Sequence, residues 1–130
     1  MNIESLITFL RNEIEKTGYK CYSPDLPQEL DKIVSVSLGE GTNERAINKD
    51  VIYTRIPFYL LIRGTSNDLE TRSIADTIFK QLDHLKDIEN NDLRIILISC
   101  DTPYYAFRDE NQRLHYNINA NVQVEWKEWD

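Results

Sequence analysis

The stretch Leu114-His115-Tyr116-Asn117-Ile118-Asn119-Ala120-Asn121-Val122-Gln123-Val124-Glu125-Trp126 alternates without a break. Leu114, Tyr116, Ile118, Ala120, Val122, Val124 and Trp126 share one side. His115, Asn117, Asn119, Asn121, Gln123 and Glu125 share the other. Side chains alternate across a strand, so this period of two predicts a long β-strand with one apolar and one polar face. It is long against a typical strand of ~5–6 residues. Its polar face cannot join the core and must meet solvent or another subunit.

A second long strand is expected over 51–63. Ile52, Thr54, Ile56, Phe58, Leu60 and Ile62 fall on one side; Tyr53, Arg55, Tyr59, Leu61 and Arg63 fall on the other. Pro57 lacks an N–H, so the strand either bends there or turns that position to an edge. After Gly64, a helix is expected from Asp68 to Lys86, capped by Ser66 or Asn67. Leu69, Ile74, Ala75, Ile78, Phe79, Leu82 and Leu85 form its buried stripe. An opening helix over Ile3–Lys16 buries Ile3, Leu6, Ile7, Leu10 and Ile14, is capped by Asn2 and stops at Gly18; Arg11, Asn12, Glu15 and Lys16 face solvent.

Shorter strands are expected at Tyr19–Tyr22, Ile33–Leu38 and Leu93–Ser99. Turns are expected at Gly39–Asn43 and Asp109–Gln112, loops at Glu44–Asp50 and around Pro103, and a polar connector at Asp87–Asp92. The order is α-β-β-β-α-β-β, with no internal repeat. It predicts one α+β domain over residues 1–130, with a mainly antiparallel or mixed sheet and two helices packed on one face.

Composition narrows the function. Apolar residues make up 41%, charged residues 28%, and the net charge is −7, which disfavours general binding to phosphate backbones. No stretch approaches the ~18 apolar residues of a membrane span, and the opening residues lack a basic leader, so no membrane role is expected and synthesis is expected in cytosol. Cys21 and Cys100 read as reduced, packed thiols. His84 and His115 have no partner at metal-binding spacing. No nucleophile elbow, phosphate loop or activated cysteine occurs, so neither catalysis nor a metal or cofactor is expected.

Protein association is the better use for the remaining residues. Arg55 and Arg63 share a strand side with Tyr53 and Tyr59; that interleaving can serve nucleic-acid stacking, but the acidic chain favours a protein interface. Tyr104, Tyr105 and Phe107 crowd a short loop. They either collapse onto the core or remain exposed as an association site. With His115, Asn117 and Asn119 of the last strand, these residues are the candidate interface.

Several features resemble one known family. They are the short opening helix, Asp25-Leu26-Pro27 leading to Ile33-Val34-Ser35-Val36, and the Gly39-Glu40-Gly41 turn. They also include Tyr59-Leu60-Leu61-Ile62-Arg63-Gly64 before an amphipathic helix, and the closing strand after Asp109–Arg113. Together they resemble the phage minor capsid and tail-terminator group of head-to-tail joining proteins. That family commonly has adjacent glycines where Glu40 here separates Gly39 from Gly41.

The resemblance implies a virion protein, made in the host cytoplasm, forming a homo-oligomer, usually a hexameric ring. Such a ring sits at the head-proximal end of the tail, stops tail-tube polymerisation and joins tail to head. The implied partners are the tail tube protein and a head completion or connector protein, with DNA only passing through the lumen. Six copies at −7 would carry about −42, which suits DNA sliding past. The alternative reading is a small acidic adaptor or inhibitor that binds one cellular protein.

Overall fold

In the computed structural model, residues 2–45 and 52–127 are described. They form two helices, α1 (Ile3–Glu15) and α2 (Asp68–Leu82), and eight strands: β1 (Lys20–Tyr22), β2 (Ile33–Leu38), β3 (Thr42–Arg45), β4 (Ile52–Arg63), β5 (Lys86–Glu89), β6 (Leu93–Cys100), β7 (Tyr104–Arg108) and β8 (Leu114–Trp126). All eight strands join one sheet in the order β1-β2-β4-β8-β6-β5, with β3 beside β4 and β7 beside β8. Among the described residues, only the β1–β2 pairing is parallel. The α+β class is as expected; β3, β5 and β7 are additional short strands.

The long strands β4 and β8 form the spine. They pair from Thr54↔Val124 to Arg63↔His115. Each has an outer neighbour broken into two pieces. Along β4, Leu38 of β2 faces Phe58 and Thr42 of β3 faces Arg55, so Gly39-Glu40-Gly41 carries one residue more than the strand opposite. The expected turn there is therefore a bulge, and the chain keeps its direction.

A Cβ on Gly39 would lie 2.8 Å from Pro57 Cγ, and one on Gly41 would lie 2.9 Å from Ile56 Cγ1. Only glycine lets the bulge lie this close to β4. Pro57 turns its carbonyl to the Gly39 N–H at 2.7 Å, so its own missing N–H falls at the same interruption. Along β8, β6 ends at Cys100↔Ala120 and β7 resumes at Tyr104↔Asn117 after Pro103.

Both helices cover one side of this sheet, and their apolar stripes meet its inward residues. Leu6, Leu10 and Ile14 of α1 and Ile74, Ala75, Ile78 and Leu82 of α2 share a core with Phe58, Leu60, Ile62, Ile95, Ile98, Ile118, Val122 and Val124. Each such large side chain contributes roughly 1.5–3 kcal/mol by leaving water. At the rim, the Trp126 indole N–H donates to Thr54 Oγ1 at 2.9 Å, so the buried polar pair is satisfied.

The helix ends follow from their caps. Asn2 Oδ1 accepts from the Ser5 N–H at 3.1 Å, and Asn67 Oδ1 accepts from the Glu70 N–H at 3.0 Å. Gly18 takes φ +95°, where a Cβ would be strained. Helix α2 stops at Leu82, short of the expected Lys86. His84 adopts φ +69°, and Lys86–Glu89, expected partly as connector, pairs with β6 as β5.

Arg11 and Glu15 were expected to be solvated. Instead, Arg11 Nε donates to Cys21 O at 3.1 Å and Glu15 Oε2 accepts from the Cys21 N–H at 3.0 Å, capping the free margin of β1. The expected loop over Glu44–Asp50 begins as strand β3 and otherwise lies outside the described residues, as does Val51.

Candidate assembly surface

At the end of the spine where β4 finishes and β8 begins, five polar side chains interlock. Arg63 Nε donates to His115 Nε2 at 3.1 Å. Since Nε2 accepts, the imidazole proton sits on Nδ1, 3.2 Å from the carbonyl of Arg113, which accepts it. Arg63 also donates through Nη1 to the carbonyls of Pro27 and Leu30. Arg113 pairs with Asp109 at 2.9 Å and Asp31 at 3.1 Å, and donates to Gln28 O at 2.8 Å. The cluster therefore ties the 27–31 segment to the sheet.

Burial, and then the Arg63 charge, hold the His115 pKa below its ordinary value, so the ring is neutral at neutral pH. Burial and the Arg113 charge lower Arg63 as well. Burial alone would raise the Asp109 carboxyl, but hydrogen bonds from the Arg113 backbone and side chain and the Asn111 N–H outweigh it and hold it low.

The sequence placed Arg63 and His115 on the outward, polar side as interface candidates. Parity does put them there, but both are buried, at 8% and 1% exposure, and they belong to the interior of the chain. The cover is local: Phe107 stacks on His115 at 4.1 Å between ring centroids, and the 27–30 backbone closes over Arg63.

The aromatic run expected in a loop is strand β7. Its β-favouring residues pair with Leu114–Asn117, leaving Tyr104, Tyr105 and Phe107 46%, 53% and 44% exposed. Of the two expectations for them, exposure holds rather than collapse. They are nonetheless well supported. Tyr105 meets Tyr116 edge-on at 6.0 Å, and Tyr116 donates from its hydroxyl to Asp68 Oδ1 at 2.7 Å. Asn119 donates to the Tyr104 hydroxyl at 3.4 Å, and Tyr59, 45% exposed, lies opposite Asn119 on β4. Asn117 and Asn119 are half-buried and Arg55 is exposed. Tyr104 and Phe107, paired with Asn117 and His115, lie with Tyr59, Asn117, Asn119 and Arg55 on the uncovered side of the sheet, whereas Tyr105, paired with Tyr116, lies on the helix side.

Two exposed leucines were missed. Leu69 stands 74% exposed beside Asp68, although it was expected in the buried stripe of α2. The signal was present: five residues at 3.6 per turn set Leu69 about 140° from Ile74. Leu30, 44% exposed, sits on the segment that Arg63 and Arg113 anchor. Nothing in its sequence pattern marked it. Leu30, Leu69, Tyr104, Tyr105 and Phe107 thus gather at one end, an apolar concentration of the kind that marks association sites.

Among the described residues, no group of three or more His, Cys, Asp or Glu is placed to hold a metal, and no helix is long and apolar enough to cross a membrane. Burial pushes the Cys21 and Cys100 thiols up to about 12, so neither is a ready nucleophile.

A family model described as "Bacteriophage tail terminator protein" matches residues 12–126. The fold is similar to that of a chain in a solved structure titled "Virion of native gene transfer agent (GTA) particle". The two share 13% identity with a TM-score of 0.62, over 92% of this chain and 91% of the other. No curated protein matches the sequence.

Proposed function

The chain belongs to the bacteriophage tail terminator family, a structural component of the virion, and from that premise we propose that its copies close into a hexameric ring at the head-proximal end of the tail. The ring ends tail-tube polymerisation and offers the surface on which the head is joined. One face contacts the tail tube protein, the other a head completion or connector protein, and the chain performs no catalysis. The observation that carries this reading is the end of the spine where Leu30, Leu69 and the β7 aromatics stand exposed on a rigid support. Apolar surface of that kind is costly in water and is stabilised by burial against another protein.

Charge fits the same role. At −7 per copy, a closed ring presents little attraction for DNA passing through its lumen. The test is electron microscopy of particles assembled without this protein. Unjoined heads beside overlong tails are expected. Normal joined particles would refute the role.

A further inference from the structure

We propose that the projecting β7 aromatics of one copy seat in a groove at the opposite end of the sheet on the next copy. This contact rests on the ring reading above and specifies which surfaces would close the ring. The projection is the β7 edge itself: Tyr104 and Phe107 stand exposed on the uncovered side, Phe107 stacked on His115, and Tyr105 stands exposed on the helix side, edge-on to Tyr116. Such preordered aromatics lose little side-chain freedom on docking, which favours them as anchors.

The receiving surface lies where β4 begins. Ile3, Leu38, Gly39, Gly41 and Ile56, with Asn43 and Thr54, line an open groove of mixed but mainly apolar surface. Ile3 is 42% exposed although it opens an amphipathic helix, so the groove leaves apolar surface wet. From Ile56 to Arg63 along β4, at ~3.3 Å per residue, the groove and the aromatic end are separated by roughly 20 Å. One chain therefore carries a projection and a recess on different surfaces. Contact between unlike surfaces is heterologous and propagates from copy to copy, as ring closure requires, whereas a like-with-like contact stops at two.

Charge selects the same pairing. Two acidic copies repel unless their contact avoids acids or pairs them. Strand β7 ends in the exposed cation Arg108, and exposed acids flank groove residues in the chain: Glu40 between Gly39 and Gly41, and Glu4 next to Ile3. Seating the aromatics would bring Arg108 toward these carboxylates. The opposite arrangement, two aromatic ends together, would face Arg108 with Arg108.

The test uses two full-length variants and their mixture. Tyr104→Ser with Tyr105→Ser removes the projection but leaves Phe107 over His115. Ile3→Arg places a cation in the groove. Each variant alone is expected to shift self-association, measured by light scattering against concentration, by roughly 30-fold or more. Mixed in equal amounts, the two variants are expected to form a dimer and nothing larger, because they retain one intact projection and one intact groove between them.

A second measurement does not depend on weakened variants. Tyr105→Cys combined with Ile3→Cys should give a ladder of disulfide-linked multimers on oxidation; each single cysteine should not. Wild-type-like assembly of both variants, with no ladder, would overturn this contact and leave the ring reading standing. A parent chain that is monomeric at every concentration and also absent as a ring from isolated tails would overturn both.

Discussion

Replacing Arg63 with methionine separates an internal role for this residue from an interfacial one. Methionine retains much of the apolar stem, so packing changes little. What is lost is the guanidinium, which in a residue only 8% exposed supplies donors to His115 Nε2, Leu30 O and Pro27 O. An orphaned buried acceptor costs about 1–3 kcal/mol, and the two carbonyls sit at the low end because the 27–30 segment can open to water. The total is about 3 kcal/mol, a large part of the ~5–15 kcal/mol that holds a domain of this size.

With unfolding entropy near 2.1 cal/mol/K per residue, that loss lowers Tm by about 11 °C. Urea unfolding of dilute protein, followed by circular dichroism, measures it directly. Arg63→Lys should recover only part, since an ammonium cannot reproduce the planar fork that reaches three acceptors. Adding His115→Phe to Arg63→Met should be less costly than the two single losses summed, by about 1 kcal/mol, because the ring no longer awaits a donor. If Arg63→Met unfolds within 0.5 kcal/mol of the parent yet loses assembly, the internal cluster is wrong and the interfacial assignment is right.

Gly64→Ala would set a Cβ 2.1 Å from Thr71 Oγ1, so the start of α2 must shift; a loss of at least about 2 kcal/mol in urea unfolding is expected, and a neutral result would show that the approach is not tight. The depressed His115 pKa means that the unfolded chain binds a proton more readily than the folded one. That contribution is complete above pH ~6.5 and is lost as pH falls through the lowered folded value; a stability slope there that survives His115→Gln would disprove its origin. The Cys21 thiol, fully buried and raised to about 12, should react with an aromatic disulfide at pH 8 only as fast as the chain opens. Immediate titration of Cys21 would contradict that burial.

The sequence made the spine legible because β4 and β8 are long enough for alternation to dominate every local exception. Short elements lacked that averaging. Strand β7 is five residues after a proline, and β5 is four residues with three charges, so neither carries a pattern apart from its neighbour. Gly39-Glu40-Gly41 looks like a reversal in sequence; only the pairing on both sides of it reveals a bulge.

The candidate site divides in the same way. Parity correctly put Tyr59, Asn117 and Asn119 on the uncovered side. It placed Arg63 and His115 there too, and could not register that Phe107 and the 27–30 backbone cover them. Such burial depends on contacts remote in sequence, which no periodicity encodes. Leu69 is different, since its helical angle alone contradicted its assignment to the core.

Arg11 and Glu15 occupy the backbone groups of Cys21 that another strand would otherwise use. A wandering peptide meeting that margin finds its donor and acceptor already taken. For a member of a family that ends polymers, this has a particular value. A sheet that recruited strands at that margin would add chain where the polymer is meant to stop. Two side chains one turn apart on α1 close that margin, and so keep a chain-stopper from becoming a chain-starter.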